Sequence, residues 1–161
     1  MTTILINPED FTRNTIVGGS VDVDRYLQAI KSCQMIMIKP LLGKELYDFI
    51  CSNYEYKTLT GKYLTLYEDY VKELVIHGSC EIYLSQGAYM VSNSGITKTK
   101  TDTSETISKE EVDYLVQASR KLYKLYEEQF LEWIKTAEIP QYITKKTIKN
   151  YGGWIFGSRN C

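Results

Sequence analysis

Residues 79–91 constrain this chain more than any other stretch. Cys80, Ile82, Tyr83, Leu84, Ala88, Tyr89, Met90 and Val91 fall around almost the whole circumference of a helix, and Glu81 is the one charge among them. A helix that is apolar on every side must be enclosed by protein or lipid. This run is too short and too polar to span a bilayer, so it predicts the second half of a central helix wrapped by other helices. The fold class that follows is mainly α. It is a small helical bundle around a central long helix, with an extended loop or β-hairpin and extended N- and C-terminal arms.

A chain of 161 residues suits one domain with a real hydrophobic core. Its formal net charge of −1 lacks the strongly basic stripe of a dedicated nucleic-acid binder. Tyrosine is over-used, 14 against 4 phenylalanines. A large ring with a polar tip suits either a surface buried on assembly or a wet-edged core, and composition leaves both open. Cys33, Cys51, Cys80 and Cys161 form no CxxC pair and read as reduced, buried small hydrophobes of an intracellular product. The N-terminal residues carry no signal-peptide pattern and no segment reads as transmembrane, so a soluble protein with no membrane contact is expected.

Along the chain, residues 3–6 are β-prone, and Asn7-Pro8-Glu9-Asp10 carries a helix-start signal. Gly18-Gly19-Ser20 follows, so residues 1–20 read as an N-terminal arm of the kind often ordered by a neighbour. A first long helix is predicted over 23–38, interrupted at Lys39-Pro40, and a shorter one over 40–51, with Gly43 permitting close backbone approach. The central helix is predicted over 62–92. Gly78 and Gly87 inside it each cost about 1 kcal/mol relative to Ala, which points to tight helix crossings or a kink. Residues 93–107 then read as a loop or hairpin. One strand holds Ile96, Thr97, Lys98, Thr99, Lys100 and Thr101, and the turn falls at Asp102-Thr103-Ser104. An isolated two-stranded hairpin is marginal in water, so this element is either a mobile loop or pairs with something outside the chain.

Ser108 and Glu111 form a capping box that opens the last helix. Val112, Leu115, Ser119, Leu122, Tyr126, Phe130, Trp133 and Ala137 keep its apolar spacing. Such a helix is about 42 Å long, against about 30 Å for a compact domain of this size, so it is expected to overhang the core. The helical domain is thus placed at 1–138. Residues 139–161 form a basic aromatic tail with Tyr151, Trp154, Ile155 and Phe156 among glycines. The tail is either a docking peptide or a segment folded back on its own domain.

Catalytic chemistry is hard to place. The single histidine, His77, stands one turn before Glu81, a spacing that can give two metal ligands or a structural polar pair. No phosphate loop, nucleophile elbow or paired carboxylate cluster appears. The reading is therefore no catalytic residue, no metal, no cofactor and no enzyme.

Pro40-Leu41-Leu42-Gly43 followed by Glu45-Leu46-Tyr47, then a long helix and Asn93-Ser94-Gly95-Ile96, resembles small neck proteins of tailed bacteriophages. The similarity is to head–tail connector or ring proteins of Bacteroidales phages, including the crAss-like group. Gly152-Gly153 and the aromatic tail look similar too. The resemblance implies a structural virion protein made in the host cytoplasm and located in the neck. It implies a homo-oligomeric ring, a dodecamer, that meets the portal protein and adjacent neck or tail rings, with at most non-specific contact to packaged DNA. The alternative is a small cytosolic helical adaptor or regulator that binds one protein partner through its last helix. A metal-dependent enzyme using His77 and Glu81 is the third class.

Overall fold

A computed structural model describes residues 3–17, 23–87, 89–92, 95–98 and 108–142, with the backbone alone at 25, 87, 89–92 and 95–98. The helices are α1 (Pro8–Asn14), α2 (Val23–Cys33), α3 (Lys39–Leu42), α4 (Lys44–Glu55), α5 (Gly61–Leu66), α6 (Lys72–Gly87) and α7 (Lys109–Ala137). One antiparallel pair, β1 (Tyr89–Ser92) and β2 (Gly95–Lys98), stands between α6 and α7. The described structure is mainly helical, as the apolar patterning predicts.

Two long rods dominate it. A π turn at Tyr67–Val71 joins α5 to α6, giving one central helix over 61–87. The other rod is α7, which runs antiparallel to it. Glu81 meets Arg120, Cys80 meets Ser119, His77 stacks on Tyr126, Tyr70 packs on Phe130 and Trp133, and Tyr63 meets Gln141. From Glu81–Arg120 to Tyr63–Gln141 the contacts descend one helix as they climb the other. The two rods are nearly equal in length, so α7 outruns its partner only at its first turn, less than the predicted overhang.

The enclosed stretch lies earlier than 79–91. Val71, Leu74, Val75, Ile76, Ser79 and Cys80 are all buried, and Ile82, Tyr83 and Leu84 are half-buried. Gly78 sits at the crossing: a Cβ there would lie 2.7 Å from Cys33 Sγ, 3.1 Å from Tyr123 Cδ2 and 3.3 Å from Met37 Sδ. The tight crossing predicted from the helix glycines is thus located at Gly78. Residues 89–92, expected to continue the helix, form β1 instead. A short apolar run is compatible with either state, and aromatic and β-branched residues such as Tyr89 and Val91 favour a strand.

The N-terminal segment is part of the core, not an arm. Leu5, Ile6, Phe11 and Val17 are buried, with Phe11 stacked on Tyr26 at 5.2 Å. Among the described residues, no strand pairs with residues 3–7 ahead of α1. Leu5 N–H donates to Gln34 Oε1 at 2.9 Å, Gln34 Nε2 donates to Thr3 O at 2.9 Å, and the Tyr67 hydroxyl donates to Leu5 O at 2.8 Å. Side chains therefore satisfy backbone groups that a sheet would otherwise have to pair. Gln34 is fully buried and also donates to Tyr47 Oη at 3.0 Å.

Lys39-Pro40 does not interrupt the helix, contrary to expectation. A π turn at Gln34–Ile38, in which Lys39 N–H reaches Gln34 O, carries α2 into α3. In a regular helix the proline ring clashes with the carbonyl four residues back, and the wider turn ahead of Pro40 relieves that contact. The chain turns at Gly43, with φ 83° and ψ 157°. Only glycine adopts that region readily, so its role is conformational and differs from the close approach expected. Gly43→Ala is expected to lose about 1–3 kcal/mol, read as a lower urea midpoint at constant slope. An unchanged midpoint would show that the corner accommodates a Cβ.

The β-hairpin differs in register from the sequence reading. Ser92 pairs with Gly95 and Tyr89 with Lys98, which puts the connection at 93–94 and the partner strand before it. The predicted turn at 102–104 and strand residues Thr99, Lys100 and Thr101 lie outside the described residues. At the far end, Ile139 and Tyr142 are buried, Tyr142 edge-on to Phe130 at 5.8 Å. The core thus reaches past 138, and the remaining tail, with Tyr151, Trp154, Ile155 and Phe156, lies outside the described residues.

Candidate interaction surface

The antiparallel helix pair delivers the β-hairpin to one end of the molecule. β1 begins two residues after α6 ends, and the capping box starts α7. In that box Ser108 N–H donates to Glu111 Oε2 at 2.7 Å and Glu111 N–H donates to Ser108 Oγ at 3.2 Å. Below the tip, Arg120 Nη2 lies 2.7 Å from Glu81 Oε1 and pins the two helices together. Among the described residues no third strand joins β1 and β2. Among the described residues, each strand therefore pairs on one side only, the arrangement that strand addition uses.

Beside the tip, α7 shows an apolar stripe to solvent. Tyr114 is 72% exposed, Leu122 42% and Leu125 48%. With the half-buried Ala118 they recur at steps of four, four and three, which is one face of a helix. The face turned to the core is Val116, Ser119, Tyr123, Phe130, Ile134 and Ala137. Compared with the predicted stripe, α7 is rotated so that Val116, Tyr123 and Ile134 point inward and Leu122 outward. The rotation follows from the crossing: Tyr123 fills the space that Gly78 leaves, and the Ser119 hydroxyl reaches Cys80 Sγ at 3.4 Å.

His77 and Glu81 do not act together. His77 Nε2 lies 3.5 Å from Glu73 Oε2, and its ring stacks on Tyr126 at 5.6 Å between centroids. Burial lowers the His77 pKa, and burial raises that of Glu73 despite neighbouring Lys72. Both shifts oppose an ion pair, so the imidazole packs here as a neutral ring. Glu81 is engaged by Arg120. Among the described residues no three His, Cys, Asp or Glu side chains converge as a metal site. Burial also pushes the Cys33 thiol up to about 12, which keeps it protonated and suited to packing rather than nucleophilic work.

The corner residues sit around the other half of the central helix. Leu42 and Leu46 are core, Tyr47 is buried against Gln34, Leu41 is half-buried, and Pro40 and Glu45 are exposed. Their helix α4 sets Phe49 on Tyr63 and Tyr54 on Tyr67. The corner therefore builds the scaffold, while Ile96, Thr97 and Lys98 lie in β2 at the opposite end. The tyrosines mostly form a wet-edged core: Tyr26, Tyr47, Tyr67, Tyr123 and Tyr142 are buried, and Tyr63 donates outward to Gln141 at 2.8 Å. Sequence reasoning missed Gln34, although a polar residue on the apolar face of α2 and its π turn was a signal. It also missed Tyr114 and Leu125, which the rotation of α7 brings into line with Leu122.

The described residues thus form an antiparallel helix pair, buttressed by a kinked helical layer and tipped by a β-hairpin. The chain belongs to a family of unknown function, DUF6712, whose model matches residues 38–152. The match spans the corner, both long helices and the β-hairpin. No curated protein and no solved structure matches the chain. Among the described residues, no helix is long and apolar enough to cross a membrane.

Proposed function

We propose that this protein is a structural virion component, a head–tail connector that oligomerises into a ring in the phage neck and bridges portal and tail. The observation that carries the reading is the β-hairpin at the tip of the helix pair, whose two strands pair only with each other among the described residues. Subunits that join in a closed ring need a surface on each copy that meets a different surface on the next, and strand addition at such an edge supplies one. The likeness of the Pro40 to Tyr47 corner and of Asn93 to Ile96 to neck proteins gives the ring its setting: portal on one side, an adjacent neck ring on the other, twelve copies around the channel. No enzymatic step is part of this reading.

A second reading is a helical adaptor that binds one protein partner. The stripe of Tyr114, Leu122 and Leu125 favours it, since a helix face of this kind docks in a groove. Negative-stain electron microscopy of the purified protein, alone and with its cognate portal, separates the two. Rings are expected, free or on the portal. Discrete monomers or dimers that ignore the portal would exclude the connector and leave the adaptor.

A further inference from the structure

We propose that the seam between the central helix and α7 carries a binding site for a guanidinium group, an arginine side chain presented by a protein partner. The inference does not depend on a ring. Tyr70, Glu73 and His77 supply the site from the central helix, and Tyr126 and Trp133 from α7. Tyr70 packs on Trp133 at 5.2 Å between ring centroids, and His77 stacks on Tyr126 at 5.6 Å and 14°. Glu73 stands one helical turn from Tyr70 and one from His77, between the two ring pairs. Phe130, fully buried and 6.3 Å from Tyr70, lies between Tyr126 and Trp133 along α7.

A cluster of this composition suits a cation. Aromatic faces attract positive charge, and the attraction grows as water is excluded. Glu73 supplies the counter-charge, and its surroundings compensate that charge poorly. Its side chain is 27% exposed, its contact in the seam is the neutral ring of His77 at 3.5 Å, and the adjacent Lys72 reaches Asp10 at 3.3 Å. Burial raises the Glu73 pKa even with Lys72 beside it. Burial also raises the Tyr126 pKa and the Glu73 charge adds to the rise, which puts the phenol within reach of that carboxylate. On the other flank of α7 the acids are already matched, Glu81 by Arg120 and Glu127 by Lys124. A guanidinium fits better than an ammonium because it is flat, stacks on ring faces and offers a carboxylate two parallel N–H groups. Tyr70, Tyr126 and Trp133 are half-buried, so the site is open along one side. Such a site suits a side chain delivered by a larger partner, whereas small ligands are enclosed on most of their surface.

The test uses the full-length protein with Trp154→Phe, which leaves Trp133 as the one reporting indole. N-acetylarginine amide is titrated at constant ionic strength and followed by Trp133 fluorescence, with N-acetylcitrulline amide as its uncharged isostere. The expected result is a saturable change with the arginine probe and binding at least about tenfold weaker with the citrulline probe. Glu73→Gln keeps the shape, removes the charge and should weaken the arginine probe about tenfold. Tyr126→Leu should weaken it about threefold, and circular dichroism of both variants checks that the helices are kept. Equal affinity for the two probes overturns the proposal, as does an arginine response that Glu73→Gln leaves unchanged. No response in either the parent or an Arg159→Gln variant overturns it as well. A response that appears only with Arg159→Gln would assign the site to the chain's own tail, and a dimer that the probe splits in sedimentation would assign it to a second copy. Either result overturns a separate partner as the occupant.

Discussion

Gln34→Ala is expected to lower stability by about 3 kcal/mol or more, by stranding a buried donor and opening a cavity. Leu5 is fully buried, so its N–H cannot turn to water when Gln34 Oε1 is gone. Tyr47 Oη and Thr3 O lose their donors in the same step. Urea denaturation measures the loss, and hydrogen exchange at the Leu5 amide locates it. Gln34→Met separates the two causes, since it keeps most of the volume and none of the hydrogen bonds. The methionine variant should still lose about 2 kcal/mol, the cost of the orphaned polar groups. A methionine protein as stable as the parent would mean that Gln34 contributes packing only.

Gly78→Val carries the second large effect, and its sign is the informative part. Replacing a mid-helix glycine ordinarily gains stability, since glycine costs about 1 kcal/mol relative to alanine. Here even the Cβ meets Cys33 Sγ at 2.7 Å, with Tyr123 and Met37 on the other sides. Met37 can swing away, but Cys33 is fully buried on a helix and Tyr123 is packed in the seam. Gly78→Ala is therefore expected to lose about 1–3 kcal/mol through overpacking, and Gly78→Val more. A double-mutant cycle with Cys33→Ala is the check. Removing the sulfur should restore a large part of the Gly78→Ala loss, and additive losses would show that the sulfur is not what the new methyl strikes.

Features written in neighbouring residues were readable from the sequence. The capping box of Ser108 and Glu111 and the start of α1 at Asn7-Pro8 need partners only three residues away, and the structure has both. The helical class followed from the 3/4 spacing of apolar residues. Features decided at a distance were not readable. Nothing near Leu5 announces Gln34, 29 positions on, so a core segment reads locally as an arm. The π turn ahead of Pro40 lets the helix run past the proline, where rules for a regular helix place a break instead. Tyr89 to Ser92 read as helix because a brief apolar run has no period of its own, and its pairing with Gly95 to Lys98 decides the state. For the interaction surface, the hairpin was legible as an element but not in register. The outward stripe of α7 emerges only once Gly78 has fixed how that helix is turned.

The antiparallel pairing of the two rods has a mechanical consequence. A pull on the β-hairpin enters the molecule through the ends of α6 and α7 together, and along both axes at once. The pair cannot be peeled open from that end one contact at a time. It must slide as a unit against the layer formed by α2, its π turn and α4, shearing the crossing at Gly78 and the rings of Tyr63 and Tyr67 simultaneously. Close-packed interiors have low compressibility and transmit strain. Tension applied at the tip is thus borne along the whole contact between the helix pair and that layer.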